Sequence, residues 1–583
     1  MVCLATLLLL APGVYAAALF DRQEAADKPG CKVVPGDSAW PSQQTWSQLN
    51  QTIGGRLIQT IPQAAVCRPG GYAGLEHNET ACTALKKDWD FPRAYLTKAP
   101  EMMNPFFQNT SCSPYYRTDQ PCSLGNYVSY AIPVAGVADI VAAINFTQTH
   151  NVRLVIKNTG HDYMGKSTGR GALSLWTHNL KSRQLVNYSS AHYTGPAIKV
   201  GAGVTGGEAL VHASASGYRI VSGDCPTVGY AGGYSSGGGH SILNSVHGLA
   251  ADNVLEWEVV TADGRHVVAS PDQNSDLYWA MSGGGGGTFA VALSMTSRVH
   301  ADSIIGAASL SFNATSAPSN DSFVSALNAW WAFLPSLVDV GATPSWNIFA
   351  GNFLVPNTTA PGRTAADMDT LYSPFLSELK RLGIPYAFES FSAPNYLQHY
   401  NDTDGPLPDG PYAASPLFNS RLIPRTISKN SSELTATMLS LNSFDQAANW
   451  QFGCLGINAP SSSIPNAITP HWRSAIAICL EFSIYNWSVP EEVMVKRRMD
   501  LANVVHPAIE RVTVGGGAYL NEADPLVYSQ GDHKKWQEAF YGGNYARLRE
   551  VKKKWDPKGV FYAHTAVGSE DWVTDIEGRL CRV

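Results

Sequence analysis

VSGDCPTVGYAGGYSSGGGHS, residues Val221 to Ser241, holds seven glycines and one cysteine in twenty-one positions. Glycine at this density is not chosen to stabilise a helix or strand, because it loses more conformational entropy on folding than any other residue. The backbone itself is therefore the working surface. Two chemistries use such a surface: bare N–H groups that approach a phosphate or flat ring, and a strained turn that exposes a nucleophile. The stretch contains Gly233-Tyr-Ser235-Ser-Gly237, a G-x-S-x-G match, so a secreted serine hydrolase acting through Ser235 is the rival reading. That elbow needs a buried strand before the serine and a helix after it; here TVGYAGG precedes and GGGHS follows.

Cysteine parity points at the same stretch. The chain has ten cysteines. Its first eighteen residues include LATLLLLAPGVYAAA, which reads as a signal peptide cleaved after Ala16, so Cys3 leaves and nine remain. An odd number in an oxidising compartment leaves one thiol over. Sequential proximity pairs Cys67 with Cys82, Cys112 with Cys122 and Cys454 with Cys479, and Cys31 with Cys581 would close the termini. Cys225 is then free, although parity alone leaves other choices open. Eleven N-x-S/T sequons, at Asn50, Asn78, Asn109, Asn145, Asn187, Asn313, Asn320, Asn357, Asn401, Asn430 and Asn486, agree with secretion.

The net charge of −6 argues against a nucleic-acid partner, which needs clustered Lys and Arg. The one basic run, Lys552 to Lys554, reads as a solvated helix face. The apolar leader is too short for a membrane span. No histidine has metal-ligand spacing.

Asp21 to Thr118 is rich in Pro, Cys and Trp and reads as an irregular lead-in. Tyr127 to Ile132, the helical pattern VADIVAAINFTQTHN and the buried strand Arg153 to Lys157 then form a strand–helix–strand unit. Gly201-Ala-Gly203-Val-Thr-Gly206 matches G-x-G-x-x-G, but its context lacks the ribose carboxylate, and it reads as a tight strand-to-helix turn. Asn253 to Thr261 and Arg265 to Ala269 form a hairpin. From about Ala301 long helical patterns, including DSFVSALNAWWAFLPSLV, mix with strands such as SWNIFAGNFLV and AIAICLEFSIYNW. In the tail, a helix over NYARLREVKKKW stops at Asp556-Pro557 and a strand follows.

K-N-T-G-H-D-Y-M-G (residues 157–165), G-D-C-P-T-V-G with S-S-G-G-G-H, and N-Y-A-R-L with W-D-P-K-G-V-F together resemble the FAD-linked oxidases of the p-cresol methylhydroxylase/vanillyl-alcohol oxidase superfamily, in its berberine-bridge-enzyme-like group. The resemblance implies an α+β fold, with a two-lobed FAD-binding domain and an inserted α+β substrate domain on an antiparallel sheet. The expected layout is signal peptide 1–16, disulfide-stapled lead-in 17–122, FAD domain 123–301, substrate domain 302–504, and a C-terminal segment 505–583 returning to the FAD domain.

The resemblance also implies FAD bound covalently, through His161 at the 8α-methyl carbon and Cys225 at C6. Asn158, Thr159, Gly160, Asp162 and Gly165 would line the cofactor from one loop. From the glycine stretch would come Thr227, Val228, Gly229, Gly232, Gly233, Tyr234, Ser236, Gly237 and Gly238, with Asn544 and Tyr545 closing the site. Relatives of this group carry a tyrosine base in an Asn-Tyr pair near the position of Asn521-Glu522, where this chain has glutamate. Glu522 is then either the base, with Tyr519 as alternate, or a salt-bridged structural carboxylate, and His240 and Tyr234 are candidates to stabilise reduced flavin. The expected partners are a small-molecule substrate and dioxygen, for a secreted monomer with no metal.

Overall fold

In the computed structural model, residues 30–108, 111–413, 416–460, 462–528 and 531–583 are described; the expected leader lies outside them. The strand–helix–strand unit forms where the pattern puts it. A short strand β1 (Ile58–Gln59) edges a four-stranded sheet with β2 (Tyr130–Pro133), β3 (Leu154–Lys157) and β4 (Leu173–Trp176), in the order β1-β2-β4-β3. Strands β2 and β3 both run parallel to β4. Helix α2 (Val137–Thr149) joins β2 to β3 and buries Ile140, Ala143 and Ile144, which recur at helical spacing. The carboxyl ends of parallel strands are where such sheets receive ligands, and the chain leaves β3 there through residues 158–165.

The lead-in is more ordered than its composition suggests. Ser42 caps helix α1 (Gln43–Thr52) by accepting from the Thr45 N–H, a standard N-cap contact. Trp46 on α1 stacks on Tyr130 at 3.9 Å between ring centroids. Residues 42–53 therefore belong to the core of the first lobe rather than to an irregular arm.

A five-stranded antiparallel sheet follows, ordered β5-β6-β9-β7-β8, from β5 (Arg183–Ser189), β6 (Thr194–Gly201), β7 (Val254–Val260), β8 (His266–Ala269) and β9 (Val291–Arg298). The G-x-G-x-x-G turn connects β6 to helix α3 (Gly206–Ser214). A Cβ on Gly201 would fall 2.4 Å from the Leu180 carbonyl oxygen, and on Gly203 2.1 Å from that of His178. These glycines serve close packing.

The inserted lobe is a seven-stranded antiparallel sheet, in the order β13-β10-β12-β11-β15-β16-β14. Its strands are β10 (Ile305–Asn313), β11 (Thr343–Phe349), β12 (Asn352–Pro361), β13 (Ala387–Ala393), β14 (Pro416–Pro424), β15 (Gln451–Gly456) and β16 (Ala475–Ile484). SWNIFAGNFLV, read as one strand, is a hairpin: Ala350 and Gly351 take φ of 45° and 74° and reverse the chain between β11 and β12. Helix α4 (Asn320–Val338) buries Trp330 and Trp331, and both pack edge-on against Trp346 of β11.

The tail departs from expectation twice. In helix α5 (Tyr545–Trp555) Lys552 is buried: its Nζ donates to the carbonyls of Thr288 and Phe561 and pairs with Asp556 at 2.7 Å. It bolts the helix to the FAD lobe instead of facing solvent. No strand follows Asp556-Pro557 directly; a hairpin of β17 (Trp572–Thr574) and β18 (Leu580–Arg582) comes later.

The four expected disulfides are present, and Cys225 is the free cysteine among the described residues. Next to Cys31–Cys581, Asp37 and Arg579 form a buried two-point ion pair at 2.8 Å for each contact. Asp37→Asn is expected to destabilise the chain by about 2–3 kcal/mol, the value of a hydrogen bond to a buried charge, read as a lower denaturant midpoint. Among the sequons, Asn357 is buried and its amide donates to Thr359, so it is not an accessible acceptor. Among the described residues no helix is long and apolar enough to cross a membrane.

Candidate active site

The turn after β3 is shaped by its own side chains. Asp162 accepts from the N–H groups of Met164 and Ser167, each at 2.8 Å, so its carboxylate holds the loop. Gly160 and Gly165 take φ of 90° and 74°, a region open to glycine. Thr159, Gly160, His161 and Asp162 thereby face a cavity of about 550 Å³ between the two lobes.

His161 Nε2 lies 2.7 Å from Thr227 Oγ1. Burial lowers the His161 pKa to about 3, so the ring is a neutral imidazole. Cys225 Sγ lies 3.3 Å from the same Oγ1. Burial pushes its thiol up to about 11, against the pull of hydrogen bonds from Thr227. One hydroxyl thus brings together two residues from separate loops.

The glycine stretch forms the opposite wall, and Val228, Gly229, Gly232, Gly233, Tyr234 and Ser236 line it. Its glycines have two jobs. A Cβ on Gly229 or Gly232 would fall 2.6 Å from Asn158 Nδ2, and on Gly237 2.4 Å from Asn521 Nδ2. These three admit neighbouring side chains. At Gly233 the nearest such atom is 4.0 Å away, so here bare backbone does open on the cavity. Asn158 donates to the Ala202 carbonyl at 2.6 Å, and its buried Oδ1 has no partner among the described residues. Ser235 is buried and donates to the Tyr230 carbonyl at 2.6 Å. A hydroxyl committed in this way is no exposed nucleophile, and the elbow reading fails.

At one end of the cavity Glu522 Oε1 meets His240 Nε2 at 2.9 Å. Burial disfavours charge on His240, but Glu522 and then Asp224 outweigh it and lift the imidazole to about 9. Glu522 Oε2 and His240 Nδ1 are buried and unpartnered among the described residues. Tyr519 accepts from the Gly239 N–H at 3.1 Å and from Asn521 Nδ2 at 2.8 Å. Burial and the Glu522 charge raise its phenol far above the ordinary range. Asn521 also donates to the Gly233 carbonyl at 2.7 Å and so pins the loop. The Tyr234 hydroxyl donates to the His240 carbonyl at 2.8 Å and so supports His240.

Several expected residues stand off the cavity. Gly165, Thr227, Gly237 and Gly238 lie behind its lining. Asn544 donates to the Ala467 and Ile468 carbonyls, and the Tyr545 hydroxyl to Glu570 at 2.6 Å. Both fasten α5 to its surroundings, and it is Phe561 and Tyr562, after that helix, that reach the cavity.

The side chains of the roof were not read from sequence. Leu480, Phe482 and Ile484 alternate along β16 and line the cavity, because successive strand side chains point to opposite faces. Phe418 on β14 pairs with Phe482, and Tyr163 packs on Phe418 at 4.4 Å. Period-two alternation was visible in AIAICLEFSIYNW; which face meets the cavity was not. Asp224 also lines the site. Burial and nearby Asp404 hold its carboxyl above the ordinary range.

Comparison with known proteins fits this geometry. A family model described as an FAD binding domain matches residues 129–270, and one described as berberine and berberine like matches 518–568. FAD-linked oxidoreductase orf1 of Neocamarosporium betae is 68% identical over 99% of both chains. The chain belongs to the FAD-linked oxidoreductases of the VAO type. Bifunctional decalin synthase calF of Penicillium decumbens is 45% identical, over 100% of this chain and 99% of that one. The crystal structure of the VAO-type flavoprotein MtVAO615 from Myceliophthora thermophila C1 superposes with a TM-score of 0.91 at 46% identity, over 95% of this chain and 100% of that one. The corresponding relative in Thermothelomyces thermophilus is named a VAO-type flavoprotein oxidase and is 48% identical over 95% of this chain.

The residues of this VAO-type chain fit a flavin. Gly233 offers bare backbone to a flat ring. The unpartnered Asn158 Oδ1 accepts hydrogen bonds, as a ring N–H or ribose hydroxyl requires. His161 and Cys225 present a nitrogen and a sulfur to the same space.

Proposed function

We propose that this chain is a secreted oxidase that takes a hydride from the carbinol or activated C–H carbon of an apolar small molecule, with FAD held through His161 and Cys225 and reoxidised by dioxygen to give hydrogen peroxide. The observation that carries this reading is the pairing of one polar corner, Glu522 with His240, with an apolar roof of Phe418, Leu480, Phe482 and Ile484. The flavin supplies the hydride acceptor. The chain supplies the rest: Glu522 Oε2 takes the substrate proton, the His240 cation offsets negative charge that develops beside it, and the roof excludes water.

The apolar roof favours a hydrocarbon-rich substrate over an oligosaccharide, whose hydroxyls would lose their water without finding partners there. The relative named a decalin synthase agrees, because decalin is a carbocycle without polar groups. Four disulfides suit an oxidising compartment, which supports secretion.

The test is anaerobic bleaching of the flavin band by a panel of alicyclic alcohols and glucooligosaccharides, followed by peroxide assay in air. The alcohols are expected to bleach it and the sugars to leave it oxidised, with one peroxide formed per turnover. Bleaching by the sugars alone would refute the apolar reading, and turnover without peroxide would refute the oxidase.

A pH limb follows from His240. Its raised pKa keeps the ring charged below about 9 and neutral above it. The kcat is expected to fall as pH rises through that value, and in His240→Gln this alkaline limb should disappear from the pH–rate profile.

A further inference from the structure

We propose that the Thr227 side chain is the positioning group for both covalent links to the cofactor: it selects the His161 tautomer that leaves Nδ1 free to bond, and it hydrogen-bonds the Cys225 sulfur. This rests on the reading above, that His161 and Cys225 carry the flavin.

Thr227 is buried, and its Oγ1 has two partners, His161 Nε2 at 2.7 Å and Cys225 Sγ at 3.3 Å. A hydroxyl has one proton to donate and two lone pairs to accept with, so it can serve both if it accepts from one and donates to the other. A neutral imidazole carries its proton on one ring nitrogen and its lone pair on the other. With Nε2–H donating to Thr227, the lone pair lies on Nδ1, the atom left to form a carbon–nitrogen bond. With Nε2 accepting from Thr227 instead, Nδ1 holds the proton and cannot bond.

The first arrangement also sends the Thr227 proton to the Cys225 sulfur. A donor on the sulfur favours the thiolate, the form that bonds carbon, against the burial that opposes it. Cys225 and Thr227 are separated by Pro226 alone, so the arrangement is built into the Cys-Pro-Thr run.

Each link replaces a C–H bond of the flavin by a C–N or C–S bond. The flavin carbon, the 8α-methyl for His161 and C6 for Cys225, and the N–H or S–H group each give up one proton, and two electrons leave through the flavin. Dioxygen takes up the two electrons and two protons as hydrogen peroxide.

The test uses the full chain as wild type, Thr227→Val, Thr227→Ala and Thr227→Ser, incubated with FAD in air. The doubly linked peptide is followed by mass, and bound FAD by fluorescence, to show that each variant is folded. Wild type and Thr227→Ser are expected to reach full double linkage. Thr227→Val and Thr227→Ala should bind FAD but form links about tenfold more slowly, as for about 1.4 kcal/mol lost from the transition state. If Val fails to fold, Ala decides the matter. Double linkage at the wild-type rate in both hydroxyl-free variants would overturn the role of Thr227 alone, and so would failure of Ser to restore the rate. A wild-type chain with no flavin on either residue would overturn the underlying reading, and this proposal with it.

Discussion

Glu522→Gln is expected to lower kcat by about 10²–10⁴-fold, the contribution of a positioned general base, while flavin content stays at the wild-type level. Glutamine keeps the shape of the side chain and can still hydrogen-bond His240, so packing around the pair should survive. What it removes is the acceptor for the substrate proton. Burial raises the Tyr519 phenol far above the neutral range, and the Tyr234 hydroxyl donates to the His240 carbonyl. A second signature comes from electrostatics. Glu522 is the largest influence lifting the His240 pKa, so without its charge the alkaline limb should move to lower pH. Steady-state kinetics across pH read both effects. A variant within threefold of wild-type kcat, with the limb still near 9, would remove Glu522 from the chemistry.

His161→Ala/Cys225→Ala is expected to lose all acid-stable flavin. Cys225→Ala alone should keep FAD on His161, with a lower reduction potential. Without either bond the flavin is held by non-covalent contacts alone, which acid denaturation breaks. Two bonds prevent that loss, and as rigid electron-withdrawing substituents they also make the ring easier to reduce. For a two-electron couple about 30 mV corresponds to about 1.4 kcal/mol, so even a shift of that size is well within reach of spectroelectrochemistry. Complete loss of retained flavin in Cys225→Ala would contradict the two-link account, because His161 should hold the cofactor unaided.

Much of this site was legible because its chemistry is local. His161 lies in the glycine turn that follows β3, and Cys225 is the cysteine left over when the other eight pair; neither placement needed a long-range contact. The glycines were harder. Sequence density suggested bare backbone throughout, whereas Gly229 and Gly232 are small because Asn158 lies against them, and Gly237 because Asn521 does. Those neighbours lie 71, 74 and 284 positions away in the chain, and no periodicity encodes them.

The same limit explains Asn544 and Tyr545. They begin a well-patterned helix near the site in sequence terms, yet their polar groups anchor that helix, and the loop after it brings Phe561 and Tyr562 to the cavity. Helix α1 was missed for the opposite reason. Prolines and cysteines around it suggested irregularity, while Trp46 and Leu49 already marked a buried face at i, i+3 spacing. Which side chains form the roof was invisible for want of lobe packing: alternation defined a strand with an apolar face, and only the docking of the seven-stranded sheet aims that face at the cavity.

The most direct measurement is the mass of the proteolysed wild-type protein. The account predicts one species in which the His161 and Cys225 peptides are joined through a single FAD-derived group, coloured and stable to acid. Both peptides at their unmodified masses, with the flavin free in the acid supernatant, would contradict it.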